Sequence, residues 1–126
     1  ERGKVLIAPG DQHIKVKKIG DLYKVECFMG EKYSGHRPSV DILFESVAKA
    51  ASDKAIGIIL TGMGRDGAKG LLAMKNQGAL TIGQDAKSSV VYGMPKAAYD
   101  IGAVTTQASL EKIAQLIMLH SQVKVC

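Results

Sequence analysis

Short apolar runs that alternate with segments of helical periodicity are the strongest constraint on the fold of this chain. Ala55 to Leu60 (AIGIIL) is continuously apolar and has the length of a strand that is buried on both faces. Asp66 to Gln77 has the pattern of a helix that Gly78 closes, and Ala79 to Gly83 (ALTIG) is a second strand. Strands that alternate with helices predict an α/β fold with a doubly wound, mostly parallel sheet.

The residues before this unit predict a strand, an antiparallel β-hairpin and a helix. Lys4 to Ala8 (KVLIA) is a short apolar run that Pro9-Gly10 ends, as expected of a buried strand. His13 to Lys18 and Leu22 to Phe28 alternate in polarity, which is typical of a hairpin with one face in water. A helix with an apolar face is predicted from about Ser39 to Ala51.

The residues after the unit complete the alternation. Pro95 to Ile101 predicts a short helix, and Ala103 to Thr105 predicts a last strand. Leu110 to Leu119 is amphipathic and predicts a terminal helix, for which Ser109 is a suitable N-cap.

Size and composition fit one domain with an aliphatic core. The chain has 126 residues, of which 46% are hydrophobic and 5% aromatic, and no apolar run approaches the roughly 20 residues that cross a bilayer. No secretory leader opens the chain, so we expect a cytoplasmic protein without membrane insertion, with Cys27 and Cys126 as reduced thiols. The formal charge of +5 comes from scattered basic residues, so no nucleic-acid partner is expected.

Chemistry-bearing residues are concentrated in Thr61 to Ala68, which reads TGMGRDGA. The segment follows a predicted parallel strand, and ligands and catalytic groups of such sheets gather beyond the carboxyl ends of the strands. Gly62, Gly64 and Gly67 permit tight turning, and they hold Asp66 at the mouth of the next predicted helix. A carboxylate therefore lies where a functional group is expected.

The residues alone leave three hypotheses for this segment. In the first, Asp66 is the N-cap of the helix that follows it. In the second, Gly62 to Gly67 is a G-x-G-x-x-G dinucleotide site with Asp85 on the ribose, although Asp66 would then lie beside the pyrophosphate. In the third, Asp66 is the acid of a Ser-His-Asp system, and the Met63 N–H helps to bind a developing oxyanion.

Four segments together resemble the catalytic domain of the bacterial chemotaxis protein-glutamate methylesterases, in the order of that family. They are VLIAPGDQHI (Val5 to Ile14), SGHRPSVDILF (Ser34 to Phe44), ILTGMGRDGAKGL (Ile59 to Leu71) and SSVVYGMPKAA (Ser88 to Ala98). They cover most of the chain, and the combination of SGHRPSVD with GMGRDGA is highly specific. The resemblance favours the third hypothesis over the dinucleotide site.

The resemblance implies hydrolysis of γ-glutamyl methyl esters on methyl-accepting chemotaxis receptors, with deamidation of glutamine as a related activity. It implies that Asp66 is the triad acid and that the Met63 amide lies in the oxyanion hole, with Gly62 and Gly64 beside it. It implies no metal or organic cofactor. The partners implied are the receptors and the receiver domain of the same protein.

The chain also departs from the family, because it lacks the other two triad residues. The family's nucleophile lies in a GxSTGG-like turn and its base in a QHM-like segment, and neither motif occurs among these 126 residues, in which none of the eight serines lies in such a turn. The chain begins Glu1-Arg2-Gly3 and enters an apolar run at once. We therefore expect residues 1–126 to be the C-terminal portion of the catalytic domain, without the receiver domain and the N-terminal catalytic strands, and inactive alone. The alternatives are a docking module without catalysis and, less favoured, a dinucleotide-binding domain.

None of the three histidines is expected to replace the missing base. His13 falls in the first strand of the predicted hairpin, and His120 lies at the end of the last helix, where a cation suits the dipole. His36 lies in the loop before a helix, and we expect it to have a structural hydrogen-bonding role. Arg37 and Asp41 are expected to be scaffold, with Asp41 in the first turn of that helix.

Overall fold

The computed structural model describes residues 3–121, which form five strands, four α-helices and one short 3₁₀ helix. The strands are β1 (His13–Ile19), β2 (Leu22–Phe28), β3 (Ile56–Ile59), β4 (Leu80–Gln84) and β5 (Thr106–Ala108). The α-helices are α1 (Val40–Ala51), α2 (Ala68–Asn76), α3 (Met94–Asp100) and α4 (Leu110–Ser121), and the 3₁₀ helix is Ser52–Lys54. Nearly every element falls where its sequence pattern predicts it.

The strands β3, β4 and β5 form a parallel sheet in that order, with Ile58 opposite Ile82 and Ile82 opposite Thr106. On one face, Ile82 packs with Ile113 and Leu116 of α4. On the other face, a second cluster joins the sheet to the first three helices through the residues Ala48, Ile59, Leu71, Met74 and Ala98. Both faces are covered by helices, which confirms the predicted α/β class with a doubly wound parallel sheet.

The predicted antiparallel hairpin is also confirmed, because β1 and β2 pair from His13 opposite Phe28 to Ile19 opposite Leu22. The hairpin lies against α1. The backbone N–H of Val16 donates to the Ser46 hydroxyl at 2.9 Å, and Ile14 is buried. Cys27 lies in β2 as an exposed free thiol, whereas Cys126 lies outside the described residues.

The predicted first strand is wrong, since Lys4 to Ala8 has no strand structure. Its apolar side chains lie in solvent, with Val5 86% and Ile7 88% exposed. A strand is held by hydrogen bonds to a neighbour, and none of the strands in residues 3–121 pairs with this segment. Apolar composition therefore predicted a strand for which the described residues supply no partner.

The last strand begins three residues later than predicted, at Thr106 instead of Ala103. The N–H of Ala103 donates to the carbonyl of Ala98 at 2.9 Å and so closes α3, and the Ala103 side chain is fully buried. Thr105 donates to the carbonyl of Thr81 at 3.0 Å, and the ladder follows at Thr106. Val104 and Thr105 have β-propensity, but Ala103 hydrogen-bonds to the end of α3, so the ladder with β4 starts only after them.

The helices α1 and α2 approach closely at two glycines, and this contact positions the candidate site. A Cβ atom on Gly70 would lie 2.6 Å from the Cβ of Phe44 and 3.0 Å from the backbone of Asp41. Gly67 has φ +99°, and a Cβ there would lie 2.9 Å from Val40. Side chains at these positions would force the helices apart. Among residues 3–121, no helix is long and apolar enough to cross a membrane.

Candidate active site

The loop after β3 is tied to the loop that precedes α3. The N–H of Thr61 donates to the Oε1 of buried Gln84 at 2.7 Å. The Thr61 hydroxyl donates to the carbonyl of Val91 at 3.0 Å and accepts the N–H of Val91 at 2.8 Å. The Thr61 side chain thus binds both the N–H and the carbonyl of Val91. These bonds fix the point at which the glycine-rich turn starts.

Gly62 extends this connection. Its N–H donates to the carbonyl of Val91 at 3.0 Å, and its own carbonyl accepts the N–H groups of Gly93 at 3.2 Å and Met94 at 2.9 Å. A Cβ on Gly93 would lie 2.7 Å from the Gly62 oxygen, so the approach requires glycine. Two segments that carry the family resemblance, Ile59 to Leu71 and Ser88 to Ala98, therefore meet at the site.

The turn then leaves a backbone donor without an acceptor among residues 3–121. Met63 is 82% exposed, and its N–H has no hydrogen-bond acceptor within residues 3–121. Gly64 follows with φ +98°, a conformation that glycine adopts without strain. The Met63 N–H is thus available to an oxygen atom from outside the described chain.

Asp66 is nearly buried, at 9% exposure, and its carboxylate accepts three hydrogen bonds. Oδ1 accepts the Ser39 hydroxyl at 3.0 Å and the N–H of Asp41 at 3.1 Å, and Oδ2 accepts the N–H of Val40 at 2.7 Å. These amides are the first of α1, so Asp66 caps a helix that begins 26 residues before it. The hypothesis that Asp66 caps the helix that follows it is wrong, because that helix, α2, has Gly67 at its N-cap and no side-chain cap.

Asp41 makes the reciprocal contact. Its Oδ1 accepts the N–H groups of Gly67 at 3.1 Å and Gly70 at 2.8 Å, both at the N-terminus of α2. Burial raises the pKa of the Asp41 carboxyl, and the negative charge of Asp66 raises it further, against the lowering effect of the Gly70 and Gly67 N–H groups. Asp41 lies in the first turn of α1, as predicted.

The hydrogen bonds leave Asp66 with unused acceptor capacity. An ionised carboxylate offers about four acceptor positions, and Oδ1 accepts two donors whereas Oδ2 accepts only one. Asp66 also lines a cleft of about 460 Å³, with Tyr33, His36, Arg65, Lys69 and Ile101 among its other walls. Oδ2 can therefore accept one further N–H, such as that of an imidazole.

His13 is the histidine that the sequence left without a role, and the structure connects it to Asp66 through Ser39. It is fully buried; its Nδ1 accepts the N–H of Ser39 at 3.3 Å, and its Nε2 donates to the carbonyl of Glu31 at 2.7 Å. An amide must donate and a carbonyl must accept, so the ring is a neutral Nε2–H tautomer. Both nitrogens are used, which excludes His13 as a general base here. The only sequence feature that connected His13 with the site was its position in VLIAPGDQHI, one of the four segments of the family resemblance.

The other histidines lie apart from the carboxylate contacts of Asp66. His36 is exposed, and its hydrogen bonds with Tyr33, at 2.9 Å each, are made by its backbone rather than by the ring. The expected structural role thus belongs to the main chain. His120 is exposed near the end of α4. Arg37 does serve the scaffold, since it donates twice to Asp11, at 2.7 and 3.0 Å, and once to the carbonyl of Gly30 at 3.1 Å.

The hydroxyls of Ser88 and Ser89, in the loop that precedes α3, donate to fixed acceptors. Ser88 Oγ donates to Asp85 Oδ1 at 2.6 Å, and Ser89 Oγ donates to the carbonyl of Asp85 at 2.6 Å. Ser88 Oγ also accepts the N–H of Leu110 at 3.0 Å, so Ser88 caps α4 although Ser109 holds the N-cap position. Asp85, the ribose ligand of the dinucleotide hypothesis, is thus occupied within its own turn.

A family model described as CheB methylesterase matches residues 1–117. The chain is 58% identical over 115 residues to a protein-glutamate methylesterase/protein-glutamine glutaminase 2 of Syntrophomonas wolfei, covering 91% of the chain and 34% of that relative. It is 60% identical over 112 residues to a protein of Sulfurimonas denitrificans with the same enzyme name, covering 89% of the chain and 32% of the relative.

The solved structures include a similar fold. The crystal structure of the Thermotoga maritima CheB methylesterase catalytic domain superposes with a TM-score of 0.84 at 35% identity, covering 89% of this chain and 60% of that one. Of the curated relatives it matches, the chain spans about a third of the length. With the family model matching nearly the whole chain, this protein belongs to the CheB methylesterase family.

Proposed function

We propose that this chain supplies the acid of a protein-glutamate methylesterase, which hydrolyses glutamate γ-methyl esters and deamidates glutamine on bacterial chemotaxis receptors. The names of the relatives support both activities. The relatives are about three times as long as the matched region, which leaves room for a nucleophilic Ser, a basic His and a receiver domain. The reaction then takes place on the cytoplasmic helices of the receptors.

The observation that carries the proposal is the hydrogen bonding of the Asp66 carboxylate. Three hydrogen bonds fix it in the loop that follows β3, next to a turn in which the Met63 N–H has no acceptor within residues 3–121. A triad acid must be fixed, must remain an acceptor and must have one position left for the imidazole N–H. The hydrogen bonds of Asp66 support this role, because Oδ2 accepts one backbone N–H, that of Val40, whereas Oδ1 accepts two donors.

The proposed reaction proceeds in two halves. The Ser hydroxyl attacks the ester carbonyl while the His takes its proton, and Asp66 accepts the other imidazole N–H and stabilises the imidazolium. The oxyanion that forms on the carbonyl accepts the N–H of Met63. The imidazolium protonates the departing methoxide to methanol, and water then hydrolyses the acyl-serine to the free glutamate. With glutamine, the leaving group is ammonia. No step uses a metal or an organic cofactor.

The test is methanol release from methylated receptor fragments by the full-length protein with Asp66→Asn. We expect turnover to fall by up to about 10⁴, the scale for a neutralised triad acid. Each carboxylate oxygen accepts a backbone N–H, so the amide NH₂ of Asn must face one of them. We therefore also expect a loss of about 1–3 kcal/mol in the free energy of unfolding, and rates should be expressed per folded molecule by circular dichroism.

The matched control is Asp85→Asn, which neutralises the aspartate that follows the next strand of the sheet. Oδ1 of Asp85 accepts both the N–H and the hydroxyl of Ser88, and an Asn side chain retains that oxygen. Methanol release by this variant should stay within about threefold of the wild type, on the scale of an ordinary surface substitution. Near-normal release by Asp66→Asn would contradict the proposal.

The 126-residue chain alone should release no methanol. Among residues 3–121, no serine hydroxyl hydrogen-bonds to a histidine ring, and His13, which is linked to Asp66 through Ser39, has both ring nitrogens engaged. Activity of the purified chain alone would show that the nucleophile is among these residues after all.

A further inference from the structure

Ser39 occupies the N-cap position of α1 but does not cap that helix with its side chain. Its backbone is extended, at φ −108° and ψ 132°, as N-cap residues usually are, yet its hydroxyl accepts no N–H from the first turn. The hydroxyl instead donates to Oδ1 of Asp66 at 3.0 Å. The N–H groups of Val40 and Asp41 donate to Asp66, so its carboxylate replaces the cap and frees the serine hydroxyl to act as a donor.

This donor decides which oxygen of Asp66 remains available. With the Ser39 hydroxyl and the Asp41 N–H, Oδ1 accepts two hydrogen bonds, whereas Oδ2 accepts only the N–H of Val40. The two amides belong to the rigid first turn of α1. Beside the Asp41 side chain, which also interacts with this carboxylate, the Ser39 hydroxyl supplies a side-chain donor to Oδ1. It therefore directs an incoming N–H to Oδ2.

The hydroxyl is itself held in place. Ser39 is 1% exposed, so bulk water does not reach it, and its backbone N–H donates to Nδ1 of His13 at 3.3 Å. His13 is anchored in turn by its bond to the carbonyl of Glu31 at 2.7 Å. A series of hydrogen bonds thus runs from the Glu31 carbonyl through His13 and Ser39 to Asp66, and its last two bonds are buried.

We propose that Ser39 is a positioning residue of the methylesterase: it orients Asp66 so that the catalytic histidine meets Oδ2. The inference rests on the proposed function, since it requires Asp66 to act as the triad acid. A merely structural hydroxyl would alter how much protein is folded, whereas a positioning hydroxyl alters the turnover of folded protein. Substrate binding does not involve Ser39, so KM should not change.

The test is Ser39→Ala in the full-length protein, assayed by methanol release from a methylated receptor fragment. A hydrogen bond to a charged group is removed, so kcat per folded molecule should fall roughly tenfold or more while KM stays within about twofold. Ser39→Thr, which keeps the hydroxyl, should restore most of kcat. A wild-type kcat for folded Ser39→Ala, or a folded Ser39→Thr as slow as the alanine variant, would overturn the proposal.

Ser46→Ala is the matched control, because Ser46 lies on α1, which Ser39 precedes, and its hydroxyl makes two hydrogen bonds to the scaffold. It donates to the carbonyl of Leu43 at 2.6 Å and accepts the N–H of Val16 at 2.9 Å, without contact to Asp66. Its kcat per folded molecule should match the wild type. An equal loss of kcat in Ser46→Ala and Ser39→Ala would overturn the proposal, because any weakened helix would then slow the enzyme.

A double-mutant cycle with Asp66→Asn separates this inference from the proposed function. If Ser39 acts through the carboxylate, Ser39→Ala should have no further effect on kcat once Asp66 is Asn. A further loss equal to that in the wild-type background would overturn the positioning role and leave the role of Asp66 intact. Near-normal turnover of Asp66→Asn alone would instead overturn the proposed function, and this inference with it.

Discussion

Asp41 and Asp66 cap each other's helices: Asp41, which lies in α1, accepts N-terminal amides of α2, and Asp66, which precedes α2, accepts those of α1. Asp66, which precedes α2, accepts the N–H groups of Val40 and Asp41 at the start of α1, and Asp41 accepts those of Gly67 and Gly70 at the start of α2. Each carboxylate also interacts favourably with the positive end of a helix dipole. Two negative charges are thereby held close together in a buried site, where each helix fixes the acid that caps the other.

Asp41→Asn should make stability less sensitive to rising pH. Burial and then the charge of Asp66 hold the pKa of Asp41 above its usual value, so the folded protein binds this proton more tightly than the unfolded chain. The free energy of unfolding therefore falls as pH rises from the unfolded pKa of about 3.9 through the folded pKa. The asparagine oxygen can still accept the N–H groups of Gly67 and Gly70.

Urea denaturation of the full-length wild type and the Asp41→Asn variant across this pH range measures the effect. The stability of the variant relative to the wild type should increase with pH above about 3.9 and then level off. A difference that is independent of pH would show that Asp41 is not perturbed in the folded protein.

Gly70→Ala should destabilise the protein, although alanine is the better helix former by about 1 kcal/mol at exposed positions. The added Cβ would lie 2.6 Å from Phe44 Cβ and 3.0 Å from the Asp41 backbone, and neither is the flexible end of a side chain. We expect a loss of about 1–3 kcal/mol in the free energy of unfolding, as for other overpacked contacts. Chemical denaturation measures it.

Gly10→Ala is the control for Gly70→Ala, because nothing lies within 4 Å of its Cβ position and its φ is not positive. It should change stability by no more than about 0.5 kcal/mol. If both variants were equally stable, the contact between α1 and α2 would be looser than the structure shows.

Local signals predicted most of the fold. The apolar run at Ala55 to Leu60 became β3, and the alternating segments around Gly20 became the hairpin, because each pattern depends on neighbours in the sequence. Gly78 does end α2, with φ +96°. The failure at Lys4 to Ala8 has the opposite cause: a buried strand needs a partner, and apolar composition alone does not supply one.

The partners of the site residues could not be predicted, because they are distant in sequence. A pattern next to α2 suggested that Asp66 caps α2, whereas the contact between α1 and α2 brings α1 to it instead. The same contact gives Ser39 a carboxylate to bind, and the packing of β1 on α1 makes His13 a neighbour of Ser39. Only the resemblance of four separated segments indicated that these residues belong to one site.

Ser88→Ala should raise the pKa of Asp85 toward its usual value. The Ser88 hydroxyl, and then the Ser88 N–H, hold the pKa of the Asp85 carboxyl below that range. A carboxyl with a lowered pKa adds stability above its unfolded pKa, and this stability is lost as pH falls through the folded pKa. NMR titration of the side-chain carboxyl carbon in the full-length protein measures the shift directly.

Ser89→Ala is the control for this titration, since the Ser89 hydroxyl donates to the backbone carbonyl of Asp85 and not to its carboxylate. It should leave the pKa of Asp85 unchanged. An unchanged pKa in Ser88→Ala as well would mean that the hydroxyl does not bind the carboxylate in solution.

Met63 should contribute to catalysis through its backbone and not through its side chain. The side chain is 82% exposed, so Met63→Ala should keep methanol release within about threefold of the wild type. Replacing the Met63 amide by an ester removes its N–H, and also weakens the Gly62 carbonyl that accepts the N–H groups of Gly93 and Met94. The loss of the N–H should lower kcat by roughly 10²–10³, as for other oxyanion-hole donors. The same replacement at exposed Lys87, whose N–H has no acceptor within residues 3–121, should have no such effect. If the ester at Met63 turned over at the wild-type rate, the oxyanion would have to be bound elsewhere.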